Sequence, residues 1–83
     1  MKLVRISAIW CTSCILTKKD WDEIKEDYDY LEYDYDMDSD IIKKYDVGKI
    51  LPVIIVLKDD LEIARITGEK KKKEILEVLG DIN

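Results

Sequence analysis

The chain's one proline, Pro52, opens the run PVIIVL, which contains no polar side chain. Successive side chains of a strand point to opposite faces, so an unbroken apolar run of this length is a strand buried on both faces. A proline lacks the N–H that a sheet interior needs, which suits the first position of such a strand. A strand of this kind requires a packed layer on each side of its sheet, so the chain must supply helices as well as further strands.

The flanking sequence supplies both. Lys2 to Ile9 is rich in Val, Ile and Leu and reads as a strand. A helix follows from Thr12 to about Tyr28, because Cys14, Thr17, Trp21, Ile24 and Tyr28 recur at steps of three and four and form one inward stripe. From Tyr30 to Asp36, Leu31, Tyr33 and Tyr35 alternate with acids, which predicts a second strand with its aromatic face on the core. Ser39 is placed to cap a short helix from Asp40 to Tyr45, and Gly48 marks the turn after it. Beyond PVIIVL, Asp59-Asp60 predicts a two-residue hairpin turn, with Leu61 to Thr67 returning antiparallel. After Gly68, Ile75, Leu76 and Leu79 predict an amphipathic last helix ended by Gly80. The order βαβαββα defines an α/β fold with a four-stranded mixed sheet and three helices, in which two crossovers imply early parallel pairing.

No repeat or linker divides the 83 residues, so residues 1–83 read as one domain. Hydrophobic residues make up 47% and charged residues 40%, too apolar for a disordered segment and too charged for a membrane protein. The formal net charge of -5 disfavours phosphate backbones and anionic lipid, so neither nucleic acid nor membrane is an expected partner. The amino terminus has an arginine within its short apolar run and does not read as a secretory signal. The expected location is the cytoplasm, where reducing thiol pools disfavour a purely structural disulfide.

That expectation sharpens the meaning of Trp10-Cys11-Thr12-Ser13-Cys14, which holds the only two cysteines. A thiolate is the reactive form, and the N–H groups and dipole at a helix start favour negative charge. Cys11, at the start of the predicted helix, is therefore the candidate nucleophile, attacking a substrate disulfide to form a mixed disulfide. Cys14, one turn on and inward, is the candidate resolving thiol, which attacks Cys11 and releases the reduced product. Structural zinc takes four Cys or His ligands, whereas this chain has two cysteines and no histidine. A noncatalytic binding module holding zinc or another thiophilic metal is the alternative, with carboxylates or a second subunit completing the site. Two inert buried thiols are the third reading.

These features together resemble the thioredoxin family: a strand leading into Trp10-Cys11-Thr12-Ser13-Cys14, then Tyr45-Asp46-Val47, Ile50-Leu51-Pro52 opening a strand, a hairpin, and Gly68 before the final helix. The resemblance runs from Lys2 to about Leu79. It lacks the extra amino-terminal strand and helix of full-length thioredoxins and is similar to the minimal form of the fold that glutaredoxins and other small redoxins use. It implies a three-layer fold, a protein disulfide reductase that needs no bound cofactor, and a cis Leu51–Pro52 bond beside the dithiol. It also implies substrate binding by Trp10, Leu51 and Pro52, with the Leu51 backbone pairing with an extended substrate chain. For Trp10 the residues leave a place in the core equally open. The partners implied are disulfide-containing proteins and a flavoprotein of the thioredoxin-reductase kind as electron donor, with the protein itself a monomer.

Three departures stand out. Between the cysteines the family commonly has Gly-Pro, or Pro-Tyr in glutaredoxins, whereas Thr12 and Ser13 bring hydroxyls that can hydrogen-bond a thiolate and tune its redox behaviour. Thioredoxins bury an aspartate six residues before the first cysteine, paired with a lysine on the next strand; here Arg5 and Glu32 stand at those places. The exchanged charges suggest Glu32 as proton relay for Cys14 with Arg5 as its partner, against the alternative of two solvated surface charges. Lys49-Ile50-Leu51-Pro52 is one residue longer than the family's segment, and no Thr-Val-Pro of the glutathione-binding kind precedes the strand.

Two charged stretches carry less. Asp34, Asp36, Asp38 and Asp40 alternate like half of a calcium loop, but Ser39 and Tyr45 stand where its glycine and bidentate glutamate belong. Lys70 to Lys73 reads as a solvated face.

Overall fold

The apolar run after Pro52 becomes the strand with the longest buried stretch. In the computed structural model, which describes residues 1–82, it forms β3 (Val53–Lys58), buried from Val53 to Leu57. The other elements, in chain order, are β1 (Lys2–Ser7), α1 (Thr12–Lys25), β2 (Asp29–Asp34), α2 (Ser39–Lys44), β4 (Leu61–Thr67) and α3 (Lys72–Ile82). They build one four-stranded sheet in the order β2-β1-β3-β4. The fold is α/β, as the order of elements predicted.

Alternate residues of the central strands serve two separate cores. Val4 and Ile6 of β1 join Val53, Ile55 and Leu57 of β3 on one face, together with Cys11, Cys14, Val47 and Leu51. Ile42 of α2 and Tyr33, Tyr35 and Tyr45 pack against this set. On the other face Leu3, Ile54 and Val56 meet Trp21 and Ile24 of α1 and Ile75 and Leu79 of α3. The sheet thus lies between α2 on one side and the α1/α3 pair on the other. A run such as Val53–Leu57 is wholly apolar because each face it presents has a core of its own.

Pairing departs from the sequence reading at one crossover. β1 and β2 are parallel, in register from Lys2↔Asp29 to Ser7↔Asp34. β3 runs antiparallel to β1, so the second crossover does not add a parallel strand. The six residues of α2 and the stretch after it carry the chain across the sheet to the far side of β1, where β3 enters in the opposite direction. β3 and β4 form the expected hairpin, with Asp59 (φ 53°) and Asp60 (φ 65°) both left-handed at the turn. Left-handed geometry at both central positions matches the twist of the flanking strands.

Several boundaries move for local reasons. β1 stops at Ser7, two residues before Ile9, because the Cys11 N–H donates to the Ala8 carbonyl and turns the chain. α1 ends at Lys25 rather than Tyr28; Tyr28 still packs on the α1/α3 core from the turn beyond it. β2 begins at Asp29 and ends at Asp34, whose Oδ1 accepts the N–H groups of Asp36 and Met37. Asp38 rather than Ser39 occupies the N-cap of α2, and its carboxylate accepts the Asp34 N–H. The alternating aspartates therefore serve to bend the chain between β2 and α2. Gly80 lies within α3, which continues to Ile82, and Leu76 faces solvent while Ile75 and Leu79 are buried.

Candidate active site

The two cysteines sit at the carboxyl end of β1, where the chain turns into α1. Cys11 is the N-cap of α1, with φ -89° and ψ 108°, and its Sγ accepts the Cys14 N–H at 3.2 Å. A sulfur thus stands where a Ser or Asp oxygen usually caps a helix, facing the unpaired donors of the first turn. Both cysteines are unbridged and buried, Cys11 at 8% exposure and Cys14 at 4%. Cys11 is covered because it belongs to the core formed with Ala8, Val47, Leu51 and Val53.

The Leu51–Pro52 bond is cis, and Leu51 and Pro52 are both buried. Leu51 belongs to the same buried cluster as the two cysteines, so the segment entering β3 and the dithiol share one core. The Pro52 carbonyl accepts the Gly68 N–H at 2.9 Å, which ties the start of β3 to the end of β4. Trp10 is 58% exposed and is not a core residue. Its Nε1–H donates to Asp36 at 2.7 Å and its ring meets Tyr35 edge to face at 6.0 Å, so the indole is fixed at the surface immediately before Cys11. Ile9 and Ile50 are exposed apolar neighbours in the same two segments. The Thr12 and Ser13 hydroxyls bond neither sulfur; the Ser13 carbonyl accepts the Thr17 hydroxyl at 2.7 Å.

Beneath the dithiol lies Arg5, only 4% exposed, which rules out the reading of it as a solvated charge. Its Nη2 donates to the Cys14 carbonyl at 2.8 Å and to Thr17 Oγ1 at 3.4 Å, and its guanidinium lies 5.9 Å from the centre of the Trp21 ring. Glu32 is directly across from Arg5 in the β1–β2 register, yet no hydrogen bond or ion pair joins them among the described residues. Glu32 instead accepts the Trp21 Nε1–H at 2.6 Å and lies 3.9 Å from Lys25 Nζ. Trp21 stands between the two, donating its N–H to Glu32 and presenting its ring to the Arg5 guanidinium. Sequence reasoning missed Trp21 as the link, although its place on the inward stripe of α1 put it beneath β1.

Burial pushes the Cys14 thiol up to about 11, and its contact with Cys11 pushes in the same direction; the Ala8 backbone and the Arg5 charge oppose them. Burial likewise lowers Arg5 from its ordinary value, while Cys14 and then Glu32 are the groups that most strongly favour its charge. A cleft of about 280 Å³ opens beside Cys14, lined also by Arg5, Ser7, Lys18 and Asp34. Among the described residues no group of three or more His, Cys, Asp or Glu is placed to hold a metal ion, so the metal alternative finds no third ligand there. Nor, among them, is any helix long and apolar enough to cross a membrane.

The Thioredoxin family model matches residues 1–81. A thioredoxin of Staphylococcus epidermidis is 34% identical over 83 residues, an alignment covering 95% of this chain and 79% of that protein. A thioredoxin of Staphylococcus aureus is 32% identical with the same coverage. Among solved structures, thioredoxin 1 from Thermosipho africanus matches with a TM-score of 0.87 at 19% identity, over 99% of this chain and 93% of that one. Thioredoxin NaTrxh from Nicotiana alata matches at 0.86 and 25% identity, over 96% and 70%.

Proposed function

Because the chain belongs to the thioredoxin family of protein disulfide oxidoreductases, we propose that it reduces disulfides in polypeptide substrates by a two-step exchange at Cys11 and Cys14. One observation carries this reading: the Cys11 sulfur caps α1 while Leu51, which precedes the cis bond to Pro52, shares one buried cluster with both cysteines. The Cys11 thiolate attacks one sulfur of the substrate disulfide and the other leaves as a thiolate. Cys14 then gives up its proton and attacks Cys11, so the bond to substrate breaks and an intramolecular disulfide forms. Two electrons have passed to the substrate, which departs as a dithiol once its sulfurs are protonated.

Trp10 and the exposed Ile9 and Ile50 offer an apolar surface to the incoming chain, and Leu51 presents its backbone for strand-like pairing beside Pro52. Thr12 and Ser13 set the local polarity between the sulfurs. The reaction needs no bound cofactor, because a cysteine pair itself carries both electrons. A flavoprotein of the thioredoxin-reductase kind regenerates the dithiol, and the protein works as a cytoplasmic monomer.

The test is a titration of the purified, metal-free protein in graded dithiothreitol redox buffers, with alkylation trapping free thiols and mass reporting their number. Both thiols should titrate together as one two-electron couple near the cytosolic poise. Thiols that remain reduced throughout, or that form only intermolecular disulfides, would remove the oxidoreductase reading.

A further inference from the structure

A buried cation ordinarily sits against a carboxylate, because moving a charge out of water is costly unless an opposite charge compensates it. Arg5 has no such partner: among the described residues its contacts are a carbonyl, a hydroxyl and the face of an indole, all neutral. Its partners Cys14 and Thr17 both belong to α1, so the guanidinium is pinned under the first turns of that helix. No buried side-chain nitrogen or oxygen among the described residues lacks a partner. The N–H groups of Arg5 that make no protein bond therefore face the cleft it shares with Cys14, or the small void it shares with Pro52 and Thr17. Arg5 thus lines both the cleft beside Cys14 and the void beside Pro52.

We infer that Arg5 is a positioning residue of the disulfide exchange, whose fixed positive charge beneath α1 stabilises the Cys14 thiolate needed in the second step. In that step Cys14 must release its proton to water in the cleft before its sulfur can displace the substrate sulfur from Cys11. The departing substrate sulfur carries away the electron pair of the broken bond and takes up a proton, so charge and atoms balance. Burial makes the Cys14 anion unfavourable, and among the described residues Arg5 is the one cation bonded to the backbone of that residue. The other charges bearing on Arg5 are those of Glu32, Asp22 and Cys11, while Lys18 and Asp34 line the cleft with opposite signs. A permanently charged arginine suits this task because it cannot lose its own proton when a neighbouring acid ionises.

The inference rests on the proposed dithiol chemistry, and the two fail separately. The redox titration of the wild type decides the chemistry. The role of Arg5 is decided in the full chain carrying Cys11→Ser, where Cys14 is the sole thiol and its alkylation by neutral iodoacetamide follows the thiolate fraction. Arg5→Gln retains an N–H donor for the Cys14 carbonyl but removes the charge, and its alkylation rate at pH 8 should fall about tenfold, equivalent to one unit in the thiol's pKa. Arg5→Lys retains the charge and should stay within about threefold of the parent, since the field and not the fork geometry is at work. Arg5→Met is a second neutral variant should Gln not fold, with circular dichroism establishing the fold in each case. Equal rates in the parent and the neutral variant, or equal losses in the neutral variant and Lys, would overturn the inference.

Discussion

Reduced protein unfolded in urea at pH 8 and again at pH 11 should show two different stabilities, with Cys14 setting a defined part of the difference. In the folded state the Cys14 thiol is raised from an ordinary value of 9.0 to about 11, chiefly by burial. Between those values the unfolded chain has released the Cys14 proton and the folded chain still holds it. The folded state therefore binds more protons, and stability falls as pH rises. Below about pH 9 the contribution is complete, and it is lost progressively as pH rises through about 11. Two units at about 1.36 kcal/mol each give a loss on the order of 3 kcal/mol.

Tyrosines and lysines titrate in the same window, so the assay is a comparison. Urea unfolding of the reduced wild type and of reduced Cys14→Ala, followed by Trp21 fluorescence at half-unit steps from pH 8 to 11, separates the Cys14 contribution from the shared background. The cavity left by alanine shifts the whole curve and does not affect its slope. The wild type should lose on the order of 3 kcal/mol more than the variant across the window. Parallel curves would refute the claim that Cys14 is held neutral by its surroundings.

Other consequences are more local. Gly80→Ala should stabilise the protein by about 0.5–1 kcal/mol in thermal unfolding, because Gly80 lies inside α3 and an added methyl would meet no atom within 4 Å. Trp10→Ala should raise KM for a protein disulfide several-fold while leaving the urea midpoint close to that of the wild type, since the indole is mostly exposed; an equal loss for a small-molecule disulfide would show that it does not dock polypeptide. Ile55→Ala, at a fully buried position in the core that holds both sulfurs, should destabilise by about 2–5 kcal/mol in urea unfolding.

The strand at Pro52, the left-handed turn at Asp59-Asp60 and the cysteine pair at a helix start were legible because each depends on residues adjacent in sequence. Arg5 was not. A charged residue in a short strand is usually solvated, and nothing near it in sequence indicates that Cys14, Thr17 and Trp21 close over it. The burial of Cys11 escaped notice for the same reason: Val47 and Leu51 arrive from more than thirty residues away. Spacing places Trp21 on the inward stripe of its helix, whereas only the fold shows that Trp10 lies at the surface and not in the core. At Gly80 a local rule misled, because a glycine near the end of an amphipathic pattern often stops a helix, yet buried Leu79 and the packing of Ile82 carry α3 past it.

Among the described residues the sheet order leaves β2 at a margin, with β1 on one side and no strand on the other. The outward backbone groups of such a strand are a template on which another chain can add itself. Here Asp29, Glu32 and Asp34 lie along the strand, and Glu26 and Asp27 precede it. Two copies approaching edge to edge would bring these carboxylates together, so mutual repulsion holds the chains apart at high concentration. Acidification that neutralises the carboxylates removes this barrier, and strong salt weakens it by screening. The acid-rich stretch thus has a consequence apart from chemistry at the sulfurs: it sets like charges along one open edge of the sheet, which opposes strand-to-strand pairing there.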